Sequence, residues 1–420
     1  MAETASCMGP AAGSAEALRR RVTAAVFGGI ALGSTGVFTT ITVAPIIAVD
    51  LTRSAALSGV PTAAVVAGSV LGAAGVSALT ARQGRRAGLV AGYGVAAAGA
   101  CMALAAVIAT AFPLFVLGVG LVGVANSAVL QSRFVVADVA PAGRRTARLS
   151  LVLWAGTIGA LVGPNAVGPA ARVAAGAGLP ALSGALAVAA ATFAACVAAC
   201  IVLPRPDPGA MRDRAGSRPV AAGGDRVEWG SPVLAVALSA MIAGQFVLAA
   251  IQTMTPLHVS ATGAGLDTVG VIMSSHVLGM YVLTPVAGWV SDRAGHLPVI
   301  VAGLLMQAAA GVAAAAAPAG RVGTLAPALF VLGVGWSFGF VSASGLLTRG
   351  ASFVQRARTQ GAADTLVFSA AALASAGSGI LMSAGGFATL CLLGAALAVV
   401  PVAVIARNRG AVRLVLDVRS

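Results

Sequence analysis

Uncharged apolar stretches long enough to cross a lipid bilayer recur along this 420-residue chain, with short polar breaks between them. A helix needs about 20 apolar residues to span the hydrocarbon core. Because 59% of the residues are hydrophobic and only 9% are charged, a water-soluble fold would have nowhere to bury so much apolar surface. The chain is therefore predicted to be a polytopic membrane protein.

Twelve spans are predicted, six in each half of the chain. The first six cover residues 22–48, 57–80, 87–109, 112–136, 149–169 and 180–203. The other six cover residues 232–256, 267–290, 297–317, 325–347, 359–382 and 387–406. The spans are rich in Ala, Leu and Gly and lack the apolar and polar alternation of barrel strands, which favours helices. The predicted fold class is all-α.

Sequence landmarks repeat at an offset of about half the chain. The seven residues Leu114–Gly120 recur letter for letter as Leu329–Gly335. Three further pairs lie 210 or 211 residues apart: Pro45 and Pro256, Arg82 and Arg293, and Arg148 and Arg358. A duplication of this size in a hydrophobic chain is typical of secondary transporters.

The duplication predicts two pseudo-symmetric bundles of six transmembrane helices. The expected parts are a cytoplasmic leader 1–21, an N-terminal bundle 22–203, a cytoplasmic linker 204–231, a C-terminal bundle 232–406 and a cytoplasmic tail 407–420. The linker is the one long polar stretch and contains four prolines among mixed charges. The first span is too long for a cleaved signal peptide and is expected to stay as an anchor.

The 26 Lys and Arg positions are all arginines, and most of them lie on one side of the predicted spans. With a cytoplasmic N-terminus, 22 fall in cytoplasmic segments, Arg53, Arg172 and Arg321 fall outside, and Arg133 lies near the end of span 4. The positive-inside rule then predicts cytoplasmic N- and C-termini in a cell membrane. The net charge of +14 follows from this topology, so no nucleic-acid partner is expected.

Catalytic and cofactor signals do not stand out in this sequence. The five cysteines have no His or carboxylate at ligand spacing, and no Gly-rich phosphate loop opens a helix from a strand. We therefore expect no enzyme, no metal and no cofactor.

The loop between spans 8 and 9 contains a motif: Gly288, Asp292, Arg293 and Gly295, followed by the basic His296. The motif resembles the loop signature of the major facilitator superfamily. The first-half copy keeps Arg82, Gly84, Arg85 and Arg86 but has Ser77 for the first Gly and Ala81 for the Asp. The resemblance implies the twelve-helix fold of this superfamily and transport of a small molecule by alternating access in a monomer.

Two further patterns resemble this superfamily. The end of span 4 has Asp138, Pro141 and Arg145, with Arg349 and Arg356 at the matching second-half positions. Span 5 has Gly159, Gly163, Pro164 and Gly168, which is similar to the signature of the drug:proton antiporter branch. Span 4 departs from that branch, because Leu114 stands where the branch has an arginine.

Each half retains one acid of these motifs, which suggests ion pairs that close the cytoplasmic end. We predict that Arg82 pairs with Asp138, and Asp292 with Arg349 or Arg356. The alternative is that they are hydrated interfacial charges, worth about 0 to 1 kcal/mol.

The glycines and the proline of span 5 have two possible interpretations. Its glycines allow close approach of another helix and Pro164 favours a bend, which fits a hinge or a seam between the halves. Simple tight packing is the alternative.

Two ionisable side chains lie inside predicted spans, where they are costly and usually functional. Asp364, which aligns with Trp154 of the first half, is a candidate to bind a proton or a cationic substrate. It would otherwise cap the start of span 11. His276 in span 8 is a second candidate for a proton, or a histidine that is hydrogen-bonded in the core.

The resemblance implies that spans 1, 4, 7 and 10 line the cavity. The candidate substrate contacts are Gln245, Gln252, Asn126 and Gln131, then Trp336 and the threonines Thr39, Thr40 and Thr42, with Trp154 of span 5 as a further candidate. Asn165 and Gln307 are expected to be satisfied in helix packing, which is also the alternative for the others. The spans are poor in charge, which favours a neutral or amphipathic substrate.

The sequence as a whole favours proton-coupled efflux of a small organic compound. The same fold equally supports proton-coupled nutrient uptake, and Leu114 adds weight to a facilitator that needs no gradient. A non-transporting receptor is the remote alternative, and it would have no sealed central cavity.

Overall fold

In the computed structural model, the described residues are 10–139, 145–202, 231–318, 322–348 and 353–419. Nearly all of them are helical. The first half contains α1 (Pro10–Thr52), a 3₁₀ turn (Ala55–Leu57), α2 (Val60–Gln83), α3 (Arg85–Ile108), α4 (Phe112–Val139), α5 (Arg145–Gly176) and α6 (Ser183–Val202). The second half contains α7 (Pro232–Ala261), α8 (Leu266–Val282), α9 (Thr284–Ala294), α10 (His296–Ala316), α11 (Val322–Thr348) and α12 (Phe353–Arg419).

The all-α membrane architecture is confirmed. Within the described part of the chain, ten segments are long and apolar enough to cross a membrane. The last of them, Thr359–Asn408, contains two helices that meet at Gly386, and the 32-residue α5 adds another pass. This arrangement gives the twelve predicted passes.

Each half has its own core, and small residues bring its helices together. In the first half, a Cβ atom added to Gly118 of α4 would lie 2.8 Å from the carbonyl oxygen of Gly99 in α3. In the second half, a Cβ added to Gly335 of α11 would lie 2.7 Å from the carbonyl oxygen of Gly303 in α10. Van der Waals contact between such small residues drives helix association in lipid, where no hydrophobic effect does.

The seven-residue repeat is thus not equivalent in packing. Gly118 is the first glycine of its copy, whereas Gly335 is the second. The first glycine of the second copy, Gly333, packs instead against α8, where an added Cβ would lie 2.5 Å from the carbonyl oxygen of His276. The letters therefore repeat two residues, or about half a helical turn, out of step with the packing.

Two glycines of the loop motifs show the duplication in the backbone itself. Gly84 joins α2 to α3 with φ 90° and ψ 168°, and Gly295 joins α9 to α10 with φ 84° and ψ 157°. Both values lie in a region of φ/ψ space that is essentially restricted to glycine. The same single-residue turn therefore connects the matching helices in both halves.

One difference from the predicted spans is a break in span 8, which we had expected to be continuous over 267–290. The helix stops at Leu283 and restarts as α9, because Pro285 has no N–H to donate to the preceding turn. Thr284 Oγ1 donates to the carbonyl oxygen of Met280 at 3.0 Å. By contrast, the matching α2 is unbroken, and α5 continues through Pro164 and Pro169.

The helices at both ends extend beyond the predicted spans. Helix α1 begins at Pro10, and α12 continues to Arg419. Of the predicted linker 204–231, all but Ser231 lies outside the described residues. The boundaries of the two bundles therefore stay predictions.

Candidate functional site: a cavity between the two halves

A cavity of about 460 Å³ lies between the two halves. Helices α1, α4 and α5 line it on one side, and α8, α9 and α11 line it on the other. Its lining residues are Ile30, Ser34, Phe38, Asn126, Val129, Leu130, Trp154, Gly156, Thr157, Tyr281, Val282, Thr284, Pro285, Trp336 and Val341. The volume lies in the range of about 300 to 1,000 Å³ that is usual for sites that bind small molecules.

The described lining of this cavity contains aromatic and neutral polar side chains and no charged one. The four aromatic side chains come from both halves: Phe38, Trp154, Tyr281 and Trp336. Hydrogen-bonding groups are supplied by Ser34, Asn126, Thr157 and Thr284. A cavity with this lining suits an uncharged, partly apolar molecule, because an unpaired buried charge would be costly.

Trp336 is fixed in place by its neighbours. Its Nε1 donates to Gln245 Oε1 in α7 at 2.8 Å. The ring of Phe340, one turn further along α11, stacks on it with a centroid distance of 4.9 Å. Gln307 of α10 contacts the backbone of the same turn. With its amide oriented to satisfy both the oxygen and the nitrogen, its oxygen accepts from the backbone N–H of Trp336 at 3.1 Å.

The sequence-predicted contacts separate into two groups. Asn126, Trp154 and Trp336 line the cavity, and Gln245 reaches it through Trp336. Gln131 donates instead to Ser77 Oγ at 2.7 Å. Gln252 is half-buried on α7 and is not among the lining residues.

The three threonines predicted in span 1 are turned away from the cavity. Thr39, Thr40 and Thr42 are buried and donate to carbonyl oxygens four residues earlier in α1. Thr39 also donates to the carbonyl oxygen of Gly163 at 3.0 Å. Ser34 and Phe38 line the cavity from α1 instead.

Asp364 and His276 lie outside the lining of this cavity. Asp364 Oδ1 accepts from Gln360 Nε2 at 2.9 Å, and Gln360 Oε1 accepts from Ser344 Oγ in α11 at 3.1 Å. His276 is fully buried, with Nδ1 3.1 Å from the carbonyl oxygen of Leu329. Its Nε2 has no hydrogen-bond partner among the described residues. Their predicted roles with protons stay predictions.

The two halves contact each other along α5 and α8. Asn165 Nδ2 donates to Ser274 Oγ at 2.6 Å, and a Cβ added to Gly270 would lie 2.9 Å from the carbonyl oxygen of Pro164. Further along α5, Arg172 Nη1 lies 2.7 Å from Asp267 Oδ2. The Asp267 carboxylate occupies the space next to Gly168.

A second line of contact between the halves joins the start of α2 to α12. Gly59 packs directly on the carbonyl oxygen of Ser375, and a Cβ added to Gly379 would lie 2.7 Å from the carbonyl oxygen of Ala56. Ser58 Oγ lies 3.3 Å from Met254 Sδ in α7. We call this set of contacts, together with those of α5 and α8, the sealed end.

The cavity lies toward the opposite end, where Arg82, Arg85, Arg86 and Arg293 lie. Along α5, Trp154 lines the cavity and Asn165 belongs to the sealed end, about 16 Å apart by helical rise. Trp154 and Leu130 are still 56% and 43% exposed at the cavity wall. Among the described residues, the cavity thus lies nearer the arginine-bearing end, and the contacts named above hold the halves together at the sealed end.

The span 5 glycines do not all face the other half. An added Cβ at Gly159 would overlap the carbonyl oxygen of Ala31, and one at Gly163 would lie 2.8 Å from that of Thr35, both in α1 of the same half. Pro164 and Gly168 reach α8 across the boundary. The motif thus joins two helices of one bundle and, one turn later, the two bundles.

The loop motifs lie at the arginine-bearing end. Arg293 stacks over the ring of Trp289 at 4.0 Å, Asp292 and Arg82 are exposed, and a Cβ added to Gly288 would meet no atom within 4 Å. The predicted partners in this region lie outside the described residues: Arg349, and the side chains of Asp138, Arg145 and Arg356. The ion pairs proposed for them therefore stay predictions.

Sequence reasoning missed the part of the second-half wall that α8 and α9 form. Tyr281, Val282, Thr284 and Pro285 line it at the break between α8 and α9. The signal was present, because a proline inside an apolar span removes a backbone hydrogen bond and bends the helix.

Comparison with known proteins gives consistent matches over most of the chain. The family model described as Major Facilitator Superfamily matches residues 26–375. The uncharacterized MFS-type transporter YddS of Bacillus subtilis (strain 168) is 31% identical over 389 residues, covering 90% of this chain and 88% of the relative. The riboflavin transporter RfnT of Brucella anthropi is 27% identical over 366 residues, covering 86% and 88%.

Solved structures show the same fold. The xylose transporter XylE from E. coli, in a partially occluded inward open conformation, matches with a TM-score of 0.66 at 16% identity, covering 93% of this chain and 98% of that one. The nucleoside transporter NupG matches with a TM-score of 0.68 at 16% identity, with the same coverage.

Proposed function

This chain belongs to the major facilitator superfamily, and on that premise we propose that it exports a small neutral or amphipathic organic compound in exchange for protons. The family makes the protein a multi-pass membrane transporter rather than an enzyme, with secondary transport implied by the fold. Substrate, direction and coupling are the proposal.

The observation that supports this function best is a cavity between two separately packed halves whose described contacts with each other include those of the sealed end. Because each half has its own core, the halves can tilt as units. Loss of the contacts at the sealed end, with closure at the arginine-bearing end, would expose the same cavity to the other side. This cycle is alternating access.

The sidedness of the proposal rests on the arginines. If the arginine-bearing end faces the cytoplasm of a cell membrane, as the positive-inside rule favours, the termini are cytoplasmic and the cavity opens inward. A compound from the cytoplasm then enters this state, as export requires.

Proton coupling is proposed on two grounds. The span 5 residues Gly159, Gly163, Pro164 and Gly168 are similar to the drug:proton antiporter signature. Asp364 supplies an ionisable group inside a membrane span, held by Gln360 between α11 and α12.

A second candidate is transport of a flavin such as riboflavin, in the direction of uptake. The relative RfnT is a riboflavin transporter, and the aromatic, uncharged cavity lining would accommodate a neutral ring system. Leu114 keeps a gradient-independent facilitator as a third alternative. No nucleic-acid partner is proposed, and one chain contains the whole cavity, which fits a monomer.

The deciding experiment is reconstitution of the purified protein in liposomes, with a panel of drugs and metabolites that includes riboflavin. Each compound is measured with an inward, outward or no pH gradient. Export by antiport predicts movement of substrate against the proton flow, whereas uptake by symport predicts movement with it. Equal rates with and without a gradient would establish the facilitator, and no transport of any compound would reject the proposal.

A further inference from the structure

We propose that the cavity binds a flat, uncharged aromatic ring system between Trp154 of the first half and Trp336 of the second. The proposal rests on the proposed function and narrows its substrate class. It is carried by the way these two indoles are placed and held.

Trp336 can contact a ligand with its ring, but its indole N–H is already hydrogen-bonded. Its N–H is already used by Gln245, and Phe340 stacks on its ring. Gln307 packs against the backbone of the same turn. A fixed aromatic ring loses little conformational entropy when a second ring stacks on it.

Trp154 lines the cavity from the first half. It comes from α5, which is fixed against α1 by the close contact of Gly159. The side chain is 56% exposed although the next residue, Ala155, is fully buried. Among the described residues its Nε1 has no hydrogen-bond partner, so this indole keeps both a ring face and a donor for a ligand.

The rest of the lining sets the charge and size of the ligand. The described lining has no ionic group, and Phe38 and Tyr281 add two further rings. Asn126 can bond a heteroatom at a ring edge. In about 460 Å³, a ligand of drug size reaches both walls, so it contacts both halves at once.

The inference is tested by measuring the binding of small probe molecules to the purified full-length protein in lipid nanodiscs. Quenching of the tryptophan fluorescence reports the binding. The probes are lumichrome and acridone, which are flat and uncharged, ethidium, which is flat and cationic, and ribitol, which is an uncharged polyol without a ring. We expect the neutral rings to bind and quench, ethidium to bind at least about tenfold more weakly, and ribitol neither to bind nor to compete.

The variants separate stacking from folding. Trp154→Ala and Trp336→Ala should each weaken binding of the neutral rings about tenfold or more, as expected for loss of one stacked ring. Trp154→Phe and Trp336→Phe should recover most of it. Trp289→Phe, which changes the indole under Arg293 outside the cavity, is the matched control and should bind as the parent does.

Gln245 is a positioning residue in this scheme. Gln245→Ala leaves both indoles present but frees the indole N–H of Trp336, so ring binding should weaken and the tryptophan emission of the protein should change. Gln131→Ala, which removes a glutamine that bonds Ser77 instead, should do neither.

Three results would overturn the inference: no binding of either neutral ring, competition by ribitol, or unchanged ring binding in both alanine variants when their melting temperatures match the parent. The proposed function fails separately. Ring binding as expected without transport in liposomes would reject transport and keep the site, while transport of a non-aromatic compound only would do the reverse.

Discussion

Arg172 Nη1 in α5 and Asp267 Oδ2 at the start of α8 lie 2.7 Å apart and join the two halves at the sealed end. Their side chains are 65% and 64% exposed, so water screens the pair and its contribution is about 0.2 to 1 kcal/mol. We expect Asp267→Asn to raise the population open at this end by less than about fivefold.

Maleimide labelling of a Ser58→Cys variant measures this opening, because Ser58 is fully buried between the halves at the sealed end. Labelling should be faster with Asp267→Asn or Arg172→Gln, and the exchange of both residues, Arg172→Asp with Asp267→Arg, should restore the slow rate. Equal labelling in all of these proteins would show that the pair does not hold the end closed.

Close packing of α5 on α1 predicts a strong effect of a single methyl group. In Gly159→Ala the new Cβ overlaps the carbonyl oxygen of Ala31, so the helices must separate, at a cost of about 1 to 3 kcal/mol. Thermal melting in detergent measures the loss. Gly94→Ala in α3 is the control, because a Cβ there meets no atom within 4 Å; equal melting of the two variants would contradict the packing.

The turn between α9 and α10 predicts a backbone effect. Gly295→Ala forces an L-residue into φ 84° and ψ 157°, which should cost about 1 to 3 kcal/mol in stability. Gly288→Ala lies in the same motif but inside α9 and in open space, and should be neutral. If the two variants have the same stability, the turn is not strained by a side chain.

Asp364→Asn tests the proposed proton site. The amide keeps a hydrogen-bonding group beside Gln360 but cannot take up or release a proton. If Asp364 carries the coupled proton, liposomes with this variant should bind the substrate and lose the stimulation by a pH gradient. Asp50→Asn, at the far end of α1, is the control; a full response to the gradient in Asp364→Asn would remove Asp364 from coupling.

The features that could be predicted from the sequence are those that a local stretch of chain determines. The apolar spans depend each on their own stretch of chain and were predicted, and the turns at Gly84 and Gly295 are likewise local, since their positive φ values suit glycine. The residues that face the cavity from α1 were not predictable, because the rotation of α1 is set by its packing on α5. Thr39 is used there, and Phe38 faces the cavity instead.

The contacts between the halves could be identified only from the tertiary structure. Arg172 and Asp267 are 95 residues apart, and no local pattern connects them. The break at Leu283 is a different case, since Pro285 was a readable signal in the middle of a span.

This break exists in one copy of the duplication only. Helix α2 is a continuous rod over Val60–Gln83, while the equivalent second-half segment is two shorter rods that meet at Leu283 beside the cavity. The two copies of the duplication thus differ in whether the helix is continuous at this position. The cavity wall of the second bundle thus includes a junction between two short helices, and this junction is where we expect the wall to bend first around a bound molecule.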